Sequence, residues 1–138
     1  MTEPRDTSAE RAQPTLATVA PWRWWTGFAV VSAIALSLTL LAYREGLPQS
    51  FVAGHRDKLW HFGIGGLLAF FLDGALERRA IALGPVRVPL AAVLVLVPAG
   101  IEEFLQRYAT FRTSSFWDFA ADVAGVIAFT WLSRRAAR

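Results

Sequence analysis

Asp57, Lys58 and His61 stand at the mouth of a long apolar run, Phe62 to Leu72, broken only by Gly63, Gly65 and Gly66. Helical positions four apart share a face and positions three apart nearly do. The spacing therefore sets Asp57 beside His61, with Lys58 close by, in one polar turn that caps a segment suited to lipid. A carboxylate, an ammonium and an imidazole in one turn can bind a charged group, carry a proton or help ligate a metal. Lys58 is the only lysine in the chain. Asp57 also has a plainer reading as an N-cap, because a carboxylate ahead of a helix satisfies its free N–H groups.

A second polar set lies further on. Glu102, Glu103 and Gln106 end one apolar block, Arg112 follows in a polar connection, and Asp118 and Asp122 open the last block, with Gly125 on their face. At about 1.5 Å of rise per residue, Asp122 sits on the order of 9 Å inside its helix. A carboxylate at the centre of a membrane helix costs roughly 2.5–3.5 kcal/mol, less at shallower depth or beside a partner. Lys58, His61, Arg107 and Arg112 are the candidate partners. Arg44, Glu45 and Arg107 read simply as polar helix ends. Asp73, at the far end of its helix, reads as one half of an ion pair with a terminal arginine. His61 with carboxylates would suit a divalent cation, but no His-x-x-x-His spacing supports one, so neither a metal nor a cofactor is expected.

The elements that position these residues follow from hydropathy. The chain has 138 residues, enough for one domain, and is 54% hydrophobic. Its mean hydropathy of +0.37 is high for a soluble domain. The apolar residues fall into four blocks, Trp25–Tyr43, Leu59–Leu76, Val88–Ile101 and Phe116–Leu132. A membrane helix needs about 20 mostly apolar residues. Three blocks approach that length, and the third can continue as a helix to Gln106. Val30–Leu41 has almost no polar face, which argues against a soluble bundle. The expected fold is all-α, a polytopic membrane protein with a bundle of four transmembrane helices over residues 23–135. Residues 1–22 read as a disordered cytoplasmic tail, and acidic residues among its arginines exclude a secretory signal. Trp22, Trp24 and Trp25 beside Arg23 suggest an interfacial belt. Helix two is expected from Asp57 to Leu76, with glycines that permit close approach of a neighbour. The stretch from Glu77 to Arg87 reads as a connection. Pro89 suits a first helical turn, whereas Pro98 lies inside a helix and should bend it.

Lys and Arg number nine on the side of the termini and the Arg78–Arg87 connection, against five on the side of Lys58, Arg107 and Arg112. The positive-inside rule then makes both termini cytoplasmic and turns the polar clusters outward. The pI near 10.2 does not imply nucleic acid, because the arginines sit at block ends rather than along one stripe. The absence of cysteine removes disulfides and thiolate metal sites.

Assembled in this order, the residues resemble the VanZ-like family of bacterial membrane proteins. The family's Asp-Lys-x-x-His is matched by Asp57, Lys58 and His61, and its Glu-x-x-Gln by Glu103 and Gln106. Its Arg, Ser and Asp-x-x-x-Asn-x-x-Gly are matched by Arg112, Ser114 or Ser115, Asp118, position 122 and Gly125, with Asp122 where the family has Asn. The match covers about residues 27–132. It implies a multi-pass protein of the bacterial inner or plasma membrane with a cell-envelope role, and the family's founding member is associated with resistance to the glycopeptide teicoplanin. The expected partners are the bilayer and an anionic lipid head group or cell-wall precursor, with Lys58 and Arg112 on the anion and Glu103, Asp118 and Asp122 holding the cations and His61. Two rivals stand beside it. One is a membrane-embedded enzyme acting on a lipid phosphate, for which no nucleophile elbow, phosphatase signature or metal motif is visible. The other is a small transporter or scaffold subunit, which would require an oligomer to make a pathway.

Overall fold

Pro21 begins the first helix, α1 (Pro21–Arg44), where the N–H it lacks has no helical partner to lose. The computed structural model describes residues 20–48, 50, 55–108 and 115–136. The other helices are α2 (Arg56–Ala75), α3 (Leu90–Leu105) and α4 (Phe116–Arg135). A single 3-10 turn, Gln106–Tyr108, extends α3. The four expected helices are present, with ends shifted by a few residues. Two of them, α1 and α4, are long and apolar enough to cross a membrane. Helix α2 carries Arg56, Asp57, Lys58 and Asp73, and α3 has 16 residues.

The connection between α2 and α3 is more than a loop. Strands β1 (Ala80–Leu83) and β2 (Val86–Pro89) pair antiparallel, with Leu83 opposite Val86. Gly84 has φ +63°, and Pro85 is held near −65° by its ring, which together match a two-residue type II′ turn. Helix α2 ends in a Schellman motif, in which the Arg78 N–H reaches the Asp73 carbonyl and the Glu77 N–H the Gly74 carbonyl. Glu77 and Arg78 occupy the left-handed region at φ 53° and 59° to make this reversal.

Helices α2 and α4 form the central pair and run parallel. Three side-chain bridges join them, Lys58–Asp118, His61–Asp122 and Arg134–Asp73, at sequence offsets of 60, 61 and 61. The register therefore holds from one end of the pair to the other. Small residues allow the approach. A Cβ on Gly125 would collide with the Phe62 carbonyl, and one on Gly65 would lie 2.8 Å from the Asp122 carboxylate. Helix α3 packs on both members of the pair, and α1 packs on α2. Trp24 lies against Gly74 and the Phe70 ring, so it belongs to this contact, whereas Trp22 and Trp25 are exposed.

The distribution of polarity is inverted relative to a water-soluble domain. The buried stripe of α4 is Asp118, Asp122, Gly125, Val126, Thr130 and Ser133. Its outward side chains include Trp117, Ile127, Trp131 and Leu132. The apolar core is small, built from Ala69, Leu72, Ala91, Ala92, Val95 and Val126.

Candidate functional site: an acidic cavity between the helices

Lys58 sits in the first turn of α2, where Asp57 can reach it from the adjacent position. Its Nζ donates to Asp57 Oδ2 at 3.0 Å and to Asp118 Oδ1, across on α4, at 3.1 Å. Asp57 Oδ1 also accepts the Lys58 backbone N–H at 2.9 Å. Asp57 is thus not the N-cap, a position held by His55 without a side-chain bond, although it does satisfy one free N–H of the first turn. One turn deeper, His61 Nδ1 lies 3.0 Å from Asp122 Oδ2. Asp118 and Asp122 are both buried, and each is matched by a basic group from α2.

These residues edge a cavity of about 770 Å³ between the four helices. Asp57, His61, Asp118 and Asp122 lie in its wall, joined from α3 by Glu102. Lys58 is not part of the wall but bridges two residues that are. Phe28, Leu38, Ile64, Leu68, Leu94 and Val95 make the remainder mostly apolar. Pro98 also lines it, and because proline has no N–H, the Leu94 carbonyl one turn back loses its helical donor beside the cavity.

The other expected site residues divide. Gln106 is fully buried and donates to Glu102 Oε2 at 2.7 Å, which orients that carboxylate. Glu103 stands apart from the Lys58 group. Its Oε1 accepts the backbone N–H of Ser115 at the start of α4, and it lines a second, smaller cavity of about 290 Å³ with Gly100, Phe104, Arg107, Phe116 and Phe119. It is Glu102, rather than the expected Glu103, that shares the wall of the larger cavity with Asp118. The cause is rotation about the helix: neighbouring positions point about 100° apart, so only one of two adjacent glutamates can face the cavity. Arg112 and Ser114 lie outside the described residues. Among the described residues no cluster of His and carboxylates has the geometry to hold a metal ion.

Four carboxylates, Asp57, Glu102, Asp118 and Asp122, thus face the cavity, and Lys58 is the fixed cation among the described residues that bridges two of them, Asp57 and Asp118. An ammonium has three N–H groups, and two of those on Lys58 are committed to carboxylates. The arrangement offers more acceptors than donors. It suits a group rich in hydroxyl, amide or ammonium hydrogens, with one Lys58 N–H left for an anionic atom. No family model, curated protein or solved structure matches the chain, so the VanZ-like resemblance rests on the motifs themselves.

Proposed function

We propose that the chain is a multi-pass membrane protein of the VanZ type, whose cavity binds the head group of an envelope lipid or a cell-wall precursor at the outer face. The observation that carries this reading is the double bridge of Lys58 to Asp118 and His61 to Asp122 at the rim of a cavity walled by apolar side chains. Two of the three motif pieces behind the resemblance meet there. Four membrane spans are supported by the buried polar stripe and the apolar outward faces of α1 and α4, to which exposed Val97 and Ile101 of α3 and Leu59 and Leu67 of α2 add. Charged side chains at membrane depth normally face a bundle interior or cavity, which is where these lie. The charge count supports an orientation with both termini in the cytoplasm.

Native mass spectrometry of the protein released from bacterial membranes tests the binding. The expected result is an envelope lipid or precursor retained by the wild type and lost in Lys58→Ala and Asp118→Ala at unchanged protein level. Retention of the same species in both variants would overturn it. In a host that tolerates teicoplanin because of this protein, the same substitutions are expected to remove the tolerance. Single cysteines introduced at Glu45 and Arg87 into this cysteine-free chain should label from opposite sides of the membrane; labelling from one side sinks the span assignment.

The His61–Asp122 pair gives a specific reason for a second reading. A carboxylate that orients an imidazole is the usual support for a general base. Purified protein incubated with labelled polyprenyl phosphates or phospholipids, with and without divalent metal, would then show turnover that Asp122→Ala abolishes.

A further inference from the structure

The cavity extends well below its polar rim, and among the described residues two of its walls make at most marginal contact with each other. Helix α1 contributes Phe28, Ser32, Ala35, Leu38 and Ala42 on one side, and α3 contributes Leu94, Val95 and Ala99 on the other. Yet α1 packs on α2 and makes at most marginal contact with α3 and α4. At the end remote from the rim its contact with α2 is close, where Trp24 covers Gly74 and Gly27 receives the Phe71 ring. Among the described residues, α1 is therefore held mainly from the α2 side. The surfaces that lead to the gap are apolar as well, with Ile34 and Leu36 exposed on α1 and Val97 and Ile101 on α3.

A slot with an apolar wall, a charged group at one end and an open flank between two lipid-compatible surfaces has the polarity of an amphiphile. The tail matches the wall and the head matches the rim. A water-soluble ligand would leave its polar groups against Phe28, Leu38 and Leu94, which costs hydrogen bonds without replacement. The volume of about 770 Å³ falls within the roughly 300–1,000 Å³ of sites that enclose a molecule.

We infer that the cavity takes the hydrocarbon tail of a membrane lipid, which enters sideways from the bilayer through the gap between α1 and α3 and brings its head group to the rim of Asp57, His61, Asp118 and Asp122. This rests on the head-group reading above and adds the route and the tail. The occupant is a bilayer lipid because the flank opens between exposed apolar faces, and because the charges gather at one end of the slot only.

Full-length protein in nanodiscs containing a phospholipid with a diazirine midway along one tail provides the test. After irradiation, adducts are mapped by mass spectrometry. The expected result is labelling of Phe28, Leu38, Leu94 or Leu68 several-fold above that of outward Ile34 and Val97. Ala35→Trp and Ala99→Trp, which fill the slot from opposite walls, should each remove the inner adducts and keep the outer ones, which also reports that the variant is folded. Equal labelling of inner and outer residues, or inner labelling unchanged in both tryptophan variants, overturns the inference. Inner adducts that persist in Lys58→Ala keep the tail slot and count against the head-group reading. Head-group retention that depends on Lys58 without any inner adduct keeps that reading and removes the slot.

Discussion

His61 Nδ1 lies 3.0 Å from Asp122 Oδ2, one helical turn below the Lys58–Asp118 bridge between the same two helices. The VanZ-like pattern has Asn at position 122, and an amide in that place could still hydrogen-bond the imidazole. Asp122→Asn is therefore expected to keep the melting point in detergent micelles close to that of the wild type. Asp122→Ala, which removes this hydrogen bond, should cost on the order of 1–3 kcal/mol. Equal loss in the two variants would mean that the charge, rather than the bond, holds His61.

Lys58 is shared by two carboxylates, one of which, Asp118, has a side chain only 9% exposed. Lys58→Met should cost about 1.5–3 kcal/mol, the range for hydrogen bonds to charged groups. Most of that loss comes from stranding Asp118, so adding Asp118→Asn to Lys58→Met should restore part of the stability. A double-mutant cycle by denaturant titration in micelles is expected to give a coupling of about 0.5–3 kcal/mol. A coupling of zero would mean that the bridge contributes nothing to the fold.

At the other end of the same helix pair, Arg134 donates to Asp73 Oδ1 at 2.9 Å and to the Arg78 carbonyl at 3.1 Å. Asp73 is fully buried, whereas the Arg134 side chain is one-third exposed. The two removals should therefore differ. Arg134→Met leaves a buried, unpaired carboxylate and should cost roughly 3–5 kcal/mol. Asp73→Asn leaves the arginine its carbonyl partners and its contact with solvent, and should cost less. Thermal unfolding of the two variants side by side checks the order.

This pair shows what the sequence makes legible. A carboxylate inside an apolar block requires a cation, and the nearest cations at that end of the block are the terminal arginines, so Asp73 could be assigned without coordinates. The same logic finds Asp118 and Asp122, because their spacing of four puts both on one face with Gly125. It fails at Glu102 and Glu103. Adjacent acids at a helix end carry no periodic signal, and which of them faces inward depends on the rotation of α3 against α2 and α4. The hairpin Ala80–Leu83 with Val86–Pro89 is hidden for another reason. Each strand has four residues, too few for alternation to stand out, and Gly84-Pro85 reads equally well as a plain turn.

Gly125 and Gly63 give a matched pair of probes for the α2–α4 contact. An added methyl at Gly125 meets the Phe62 backbone, which cannot swing aside, whereas at Gly63 nothing lies within 4 Å. Gly125→Ala should cost about 1–3 kcal/mol through overpacking. Gly63→Ala should be neutral or stabilising by about 0.5–1 kcal/mol through helix propensity. Similar losses in both would mean that α2 and α4 are not in close contact at Gly125.

Glu77 closes the Schellman motif of α2 with φ 53°, a place where glycine is the usual residue. A Cβ there crowds the following carbonyl and costs roughly 1–2 kcal/mol. Glycine removes that crowding but loses about 0.5–1 kcal/mol more conformational entropy on folding. The balance favours Glu77→Gly by about 0–1.5 kcal/mol, the difference of those two ranges. The charge is not the cause, since the motif is made by the backbone N–H groups of Glu77 and Arg78. Glu77→Ala, which keeps the Cβ and drops the carboxylate, should therefore gain nothing. Melting points of the two variants separate the causes: a gain in glycine alone identifies backbone crowding, and an equal gain in alanine would place the effect in the charge beside Arg78 and Arg79.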